Sequence, residues 1–187
     1  MSDTATNWDS LDATHAAAWT VIGRGTADPK APTRNPVLAT RGLDGGGEAR
    51  IVVLRAASSV EATLTVYTDT LSTKVSELAE DSRATLLFWV PRQMFQIRAR
   101  GPVTVTPGRG EVWTGLSDGA KSLYGMTPPP GQPVGTPDAA EARPDPARFG
   151  VATMAVQSLE TLHLGRTRHR RARFDRSDAF TGAWLAP

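Results

Sequence analysis

Apolar and polar positions along this chain follow two different periods. In "NWDSLDATHAAAWTVIGRG" the apolar residues Trp8, Leu11, Ala16, Trp19 and Val21–Ile22 recur at helical spacing, which predicts a helix ended by Gly23 and Gly25. Beyond it the pattern turns β-like. "PVLATRGL" and "EARIVVLRAAS" read as two strands joined by the glycine turn "DGGG", and "TLTVYTD" reads as a third. "ATLLFWV" is a near-continuous buried strand, and "MFQIRARGPVTVT" is a long strand that Gly101–Pro102 bends. "VATMAVQSLETLHLG", "RTRHRRARFD" and "TGAWLAP" close the chain with further strand patterning. Two more helices are predicted, one over about Leu71–Glu80 and one across "RGEVWTGLSDGAKSLYG". The stretch "TPPPGQPVGTPDAAEARPDPARFG" is rich in Pro, Gly and Ala and reads as an irregular excursion. A mainly β order with short turns and few helices predicts an antiparallel barrel with flanking helices rather than an alternating βαβ sheet.

Composition narrows the classes. A length of 187 residues favours one domain. Its expected parts are an N-terminal helical segment over 1–30, the Pro-rich excursion over 127–148, and C-terminal strands over 150–187 that complete the barrel. Twenty-one Lys and Arg balance nineteen Asp and Glu to a formal charge of +2, which argues against nucleic acid as the partner. With no cysteine, disulfides and thiolate chemistry are excluded, and the three histidines lack metal-ligand spacing, so no metal is expected. No apolar run approaches the roughly 20 residues of a membrane span, and the polar, acidic N-terminus does not read as a signal peptide. A cytoplasmic location with no membrane partner is the expectation.

Four stretches carry chemistry. The helix after Thr68 opens with Ser72, Thr73 and Lys74, and a helix N-terminus with hydroxyls and a cation suits a phosphate; its ordinary reading is a capped helix with a solvated lysine. In "RIVVLR" strand alternation sets Arg50, Val52 and Leu54 on one face and Ile51, Val53 and Arg55 on the other. In "FQIRARG" one face carries Gln96, Arg98 and Arg100, a planar-ligand contact or a solvated strand face. In "GRTRHRRARF" His169, Arg171 and Arg173 share a face, open to an anionic ligand, nucleic acid or solvent. No GxGxxG or GxxxxGK[ST] loop follows a strand.

Together these stretches resemble the pyridoxamine 5′-phosphate oxidase-like, FMN-binding split-barrel family. "RIVVLR", "VYTDTLSTKVSELAEDSRATLLFWV", "FQIRARG", "LETLHLGRTRHRRARF" and the closing "WLAP" occur in family order, from about Pro36 to Pro187. The resemblance implies a split barrel of antiparallel Greek-key type, FMN as cofactor, and a homodimer with the flavin at the interface. It implies that Arg50 and Lys74 bind the FMN phosphate with Ser72 and Thr73 beside them. Ile51, Val52, Val53, Leu54 and Arg55 would line the flavin, partly through backbone groups, and Tyr67 and Thr68 would touch it. Gln96 would bond the isoalloxazine ring, and Arg173 would approach it from the second subunit. His169, Arg171 and Ser122 are the candidate substrate contacts, and no general acid or base is assigned.

This sequence also departs from the family's vitamin oxidases. Thr73 stands where they carry Arg, Arg55 where they carry Lys, and Leu162 where they carry Trp. Their Arg-Leu-His reads His169-Arg170-Arg171, and their substrate-phosphate helix aligns without a gap to Thr114, Asp118 and Ser122. The FMN half matches and the vitamin half does not, so the resemblance implies an FMN-dependent oxidoreductase acting on another small molecule. The alternatives are a genuine pyridoxamine or pyridoxine 5′-phosphate oxidase, and a non-catalytic module binding flavin or a larger cofactor such as haem, which the lack of a clear histidine ligand disfavours; a deazaflavin in place of FMN is a further alternative.

Overall fold

The computed structural model describes residues 6–108 and 110–187. Residues 1–5 of the expected N-terminal segment and Arg109 of the expected later helix lie outside the described residues. Helix α1 (Leu11–Ala27) is capped by the Ser10 side chain and leads into β1 (Val37–Arg41) and β2 (Gly47–Ile51). After β3 (Leu54–Ser58) and β4 (Thr63–Asp69) comes α2 (Thr73–Glu80), then β5 (Arg83–Val90) and the long β6 (Phe95–Pro107). Short α3 (Glu111–Thr114) and α4 (Asp118–Lys121) precede the excursion, which holds the two-residue strands β7 (Met126–Thr127) and β8 (Glu141–Ala142) and two 3-10 turns, Pro137–Ala139 and Pro146–Arg148. The chain ends with β9 (Phe149–Ala155), β10 (Ser158–Leu164), β11 (His169–Asp175) and β12 (Ala183–Leu185).

All strand pairings are antiparallel, as the sequence predicts. One run has the order β12-β11-β10-β6-β5-β1-β2; the other joins β3 to β4, β4 to β9 and β9 back to β6. Strand β6 belongs to both. Its first half pairs with β5 and β10, and from Val103 onward it pairs with β9. The switch falls at Gly101–Pro102, where a Cβ on Gly101 would collide with the Ala155 carbonyl. The close approach demands glycine, and proline closes the ladder.

Register decides which side chains face the core. The row Leu38, Leu86, Ala99, Leu159, Phe174 runs strand to strand across β1, β5, β6, β10 and β11, and every member is buried. The adjacent row Val37, Leu87, Arg98, Glu160, Arg173 faces outward. Phe88, Phe95 and Ile97 also lie in the core, together with Ile22 of α1. Each large apolar side chain removed from water contributes roughly 1.5–3 kcal/mol.

Three expectations change. Helix α1 runs through Gly23 and Gly25 to Ala27, because Gly25 packs against the Thr33 backbone, where a side chain would not fit. "RIVVLR" is not one strand: β2 ends at Ile51 and β3 starts at Leu54, although inward–outward alternation survives the break. The helix expected across 109–125 is two four-residue helices. Thr114 and Asp118 therefore do not share one helical face, and the ungapped spacing drawn through Ser122 has no helix to support it.

Candidate functional site

Strand β4 ends and helix α2 begins within four residues, and this junction gathers the predicted phosphate-binding groups. Thr68 and Ser72 are buried there, and their hydroxyls lie 3.1 Å apart. Lys74 Nζ donates to Ser72 Oγ at 3.0 Å and to Thr68 Oγ1 at 3.4 Å, and Thr73 stands exposed at the first helical position. Ser72 occupies the N-cap position, but its hydroxyl donates to the Asp69 carbonyl at 2.7 Å and does not cap the helix. Among the described residues nothing accepts from the backbone N–H groups of Thr73 and Lys74. Unpaired N–H groups beside an ammonium are an anion cradle.

Arg50 reaches the same place from the inner face of β2, opposite Leu38. Its Nη2 donates to both Glu77 carboxylate oxygens, at 2.8 and 3.0 Å. Its Nη1 donates to Thr40 Oγ1, which in turn donates to Glu77 at 2.6 Å. Glu77 is buried on α2, three residues after Lys74. Burial, and after it the nearby Arg50 charge, hold the Lys74 ammonium below the ordinary lysine range, against Asp69 and Glu77. An ammonium crowded by a guanidinium is relieved by an incoming dianion.

The junction is anchored from the far side. Arg148 donates to both oxygens of the buried Asp69 carboxylate at 2.9 and 2.8 Å, and the Gly125 N–H donates to it at 2.9 Å. A Cβ on Gly125 would strike the Arg143 carbonyl, so this approach too needs glycine. The base of the Pro-rich excursion is thereby fixed to the end of β4. Arg55 lies beside this anchor, with its guanidinium 5.3 Å from the Tyr67 ring centroid. Among the described residues it has no carboxylate partner, and its buried Nε has no acceptor. Tyr124 completes an aromatic group with Tyr67, Phe149 and Trp113. Burial raises the Tyr124 hydroxyl above its usual range, while the Arg55 guanidinium beside it works the other way.

The remaining predicted residues lie elsewhere. Gln96, Arg171 and Arg173 face outward on β6 and β11, whereas Arg50 faces inward on β2. Arg173 and β2 are separated by five inter-strand steps in the sheet order, about 24 Å along the sheet. Glu160 accepts from Arg98 at 2.6 Å and from Arg171 at 2.7 Å. Burial works to raise its carboxyl, but the two guanidiniums outweigh it and hold the group below the usual carboxylate range. Arg173 pairs with Asp175 at 2.8 Å, and His169 is exposed. Ser122 Oγ donates to the Gly119 carbonyl at the end of α4 and has no hydrogen bond to either group. Val52 and Leu54 are buried, so they present only backbone to a ligand; Ile51 is exposed and Val53 half-buried.

Sequence reading missed Glu77, Thr40, Tyr124 and the Asp69–Arg148 anchor. Glu77 had a usable signal: an acid one helical turn after the lysine shares its face. Arg148 lies 79 residues from Asp69 and had none.

The comparisons with known proteins agree with the fold. Residues 16–107 match the family model described as pyridoxamine 5′-phosphate oxidase, FMN-binding domain. A pyridoxamine 5′-phosphate oxidase-related, FMN binding protein from Nostoc punctiforme superposes with a TM-score of 0.73 at 22% identity, covering 92% of this chain and 96% of that one. PhzG from Burkholderia lata, in complex with tetrahydrophenazine-1-carboxylic acid, superposes with a TM-score of 0.66 at 20% identity, over 99% and 95% of the two chains. The General Stress Protein 26 from Bacillus anthracis follows at 0.54 and 13% identity, over 78% and 91%. No curated protein matches the chain by sequence.

Proposed function

Over residues 16–107 the chain matches the FMN-binding domain of the pyridoxamine 5′-phosphate oxidase family, and from that premise we propose that it is a one-domain, dimeric flavoprotein that oxidises or reduces an anionic small molecule through bound FMN. The observation that carries the reading is that Lys74 stands at the uncapped start of α2 while Arg50 is held by Glu77 three residues further along the same helix. Two cations, two unpaired N–H groups and the exposed Thr73 hydroxyl match a phosphate dianion. In this reading the backbone of residues 51–55 and the Tyr67–Thr68 step run along the flavin. Bound FMN supplies the redox chemistry, and the chain binds, orients and shields it.

Arg55 is the residue we assign to the substrate's acidic group. Its guanidinium has no carboxylate partner among the described residues, and it sits against a cluster of rings. A flat ring bearing a carboxylate or phosphate suits that setting. The ligand of PhzG, a tricyclic carboxylic acid, is of this kind.

The two faces of the sheet support the dimer in this reading. Gln96 and Arg173 point away from the side that holds Arg50; if they touch the flavin as the resemblance implies, a second copy brings them to it. The outward face also carries Ile51 at 71% exposure and Trp89 at 40%, apolar area that a second copy would cover. The experiment is direct: the purified protein is yellow, the cofactor released on unfolding has the mass of FMN, and light scattering gives twice the chain mass. A colourless chain that takes up no added FMN overturns the reading.

A further inference from the structure

The Pro-rich excursion is fixed where it leaves the body and unattached beyond. Its base carries the Asp69 anchor. The Gly125 N–H and the Arg148 guanidinium bind that carboxylate, the Arg148 carbonyl accepts from the Thr70 N–H at 2.8 Å, and β7 pairs with β8. Past this base no hydrogen bond ties residues 128–140 to the rest of the described chain. The Gln132 N–H donates to the Pro129 carbonyl and the Ala139 N–H to the Thr136 carbonyl, both at 3.1 Å and both inside the loop.

The loop comes down on the start of α2. Gly131 lies against Thr73, the first residue of that helix: a Cβ on Gly131 would stand 3.0 Å from Thr73 Oγ1. Pro128, Pro129 and Pro130 are half-buried, while residues 131–139 are exposed. Three consecutive prolines fix φ and stiffen this limb. Pro130 and Gly131 hold the two central positions of the turn closed by the Gln132–Pro129 hydrogen bond, and the φ of +91° at Gly131 is one that glycine supplies. The result is a stiff arm on a fixed ribbon, ending on the uncapped first turn of α2. Residues 128–140 include no Lys or Arg and one acid, Asp138, so the arm offers an anion cover rather than charge.

We propose that this arm is the gate of the cofactor site: its Pro128–Gly131 limb closes over the first turn of α2 and lifts for FMN to enter or leave. The inference rests on the reading that the cradle holds the FMN phosphate. A cover over the phosphate excludes water, and charge-assisted contacts strengthen when water is shut out. With the base held by Asp69 and no hydrogen bond from loop to body, lifting breaks packing contacts alone, so the arm opens without unfolding what it covers.

The test uses the chain's lack of cysteine. Thr73→Cys/Gly131→Cys sets two sulfurs where the spacing allows a disulfide, and thiol counting shows that it has formed. The variant is loaded with FMN and oxidised, and FMN release on dilution is followed by flavin fluorescence before and after reduction of the same sample. The gate expects release from the locked form to be slower by about tenfold or more, and reductant to restore it. In a second variant Gly-Gly replaces residues 128–139, which leaves the ribbon and the Asp69 anchor in place. The gate expects that variant both to take up and to release FMN about tenfold faster than the parent; it decides alone where the disulfide does not form. Release that is unchanged or faster in the locked form overturns the gate, as does a shortened loop that exchanges FMN at the parent's rate. A parent that takes up no FMN overturns the cofactor reading and the gate with it; a parent that binds FMN and exchanges it regardless of the arm overturns the gate alone.

Discussion

Arg50 and Glu77 form a closed unit: one guanidinium nitrogen meets both carboxylate oxygens at 2.8 and 3.0 Å, and Thr40 bridges the pair. The carboxylate is buried and the guanidinium about a fifth exposed, so the pair orients Arg50 while its free edge remains available. It also sets a negative charge beside the proposed phosphate site. Glu77 thus steadies the fold at some expense to anion affinity. Glu77→Gln keeps the Thr40 contact and loses the charge. It is expected to lower stability by about 1–3 kcal/mol in denaturant unfolding, with FMN affinity unchanged or higher. A large drop in FMN affinity with unchanged stability would contradict this division of roles.

On the proposed reading Lys74→Ala removes one charge-assisted phosphate contact. The expected loss is about 1.5–3 kcal/mol, roughly 10- to 150-fold in Kd, read by flavin fluorescence titration.

Binding of FMN carries a pH signature. On the proposed phosphate site the charged ammonium of Lys74 is the binding form, and in the free protein it is held below the ordinary lysine range by burial and by Arg50. Affinity is therefore present at neutral pH and lost as pH rises, starting below the usual lysine value of about 10.4. In Lys74→Arg the basic limb moves to higher pH, because the guanidinium stays charged. A limb at the same pH in both proteins would assign it to another group.

Two histidines set an acid limit on stability. His163 stacks on Trp8 at 4.1 Å, and His15 packs on Phe174 and Phe180. Burial depresses both, with Arg170 and His169 adding to the effect at His163, and Asp12 opposing it at His15. A depressed histidine leaves stability intact above its unfolded value of about 6.5; the unfolded chain takes up the proton first as pH falls, and stability drops. His163→Phe keeps a stacked ring without the proton. Its thermal midpoint is expected to fall less than that of the parent between neutral pH and pH about 5.

The Asp69–Arg148 pair predicts a local effect. Breaking a buried pair from one side costs about 3–5 kcal/mol. In Arg148→Ala hydrogen exchange is expected to rise first in residues 124–148 and at the start of α2, with weaker FMN binding as the consequence. Uniform protection across the chain would separate the anchor from the site.

The strands were legible because period-two patterning and glycine turns are local, and so was the hydroxyl–lysine start of α2. Gly101–Pro102 even marked where β6 changes sheets. What escaped depended on distant partners. Gly25 reads as a helix stop until the Thr33 backbone packs against it. Nothing in the sequence ties Asp69 to Arg148, 79 residues away. The opposed facing of Arg50 and Arg173 is a property of sheet order, which period alone does not carry.

The central claim is that Arg50 and Lys74 together recognise the phosphate of FMN, and riboflavin is the same flavin without that phosphate. Titrating both ligands into the parent and into Arg50→Ala/Lys74→Ala tests it most directly. The account predicts that the parent strongly prefers FMN and that the double variant binds the two flavins about equally weakly; a double variant that still prefers FMN as the parent does would contradict it.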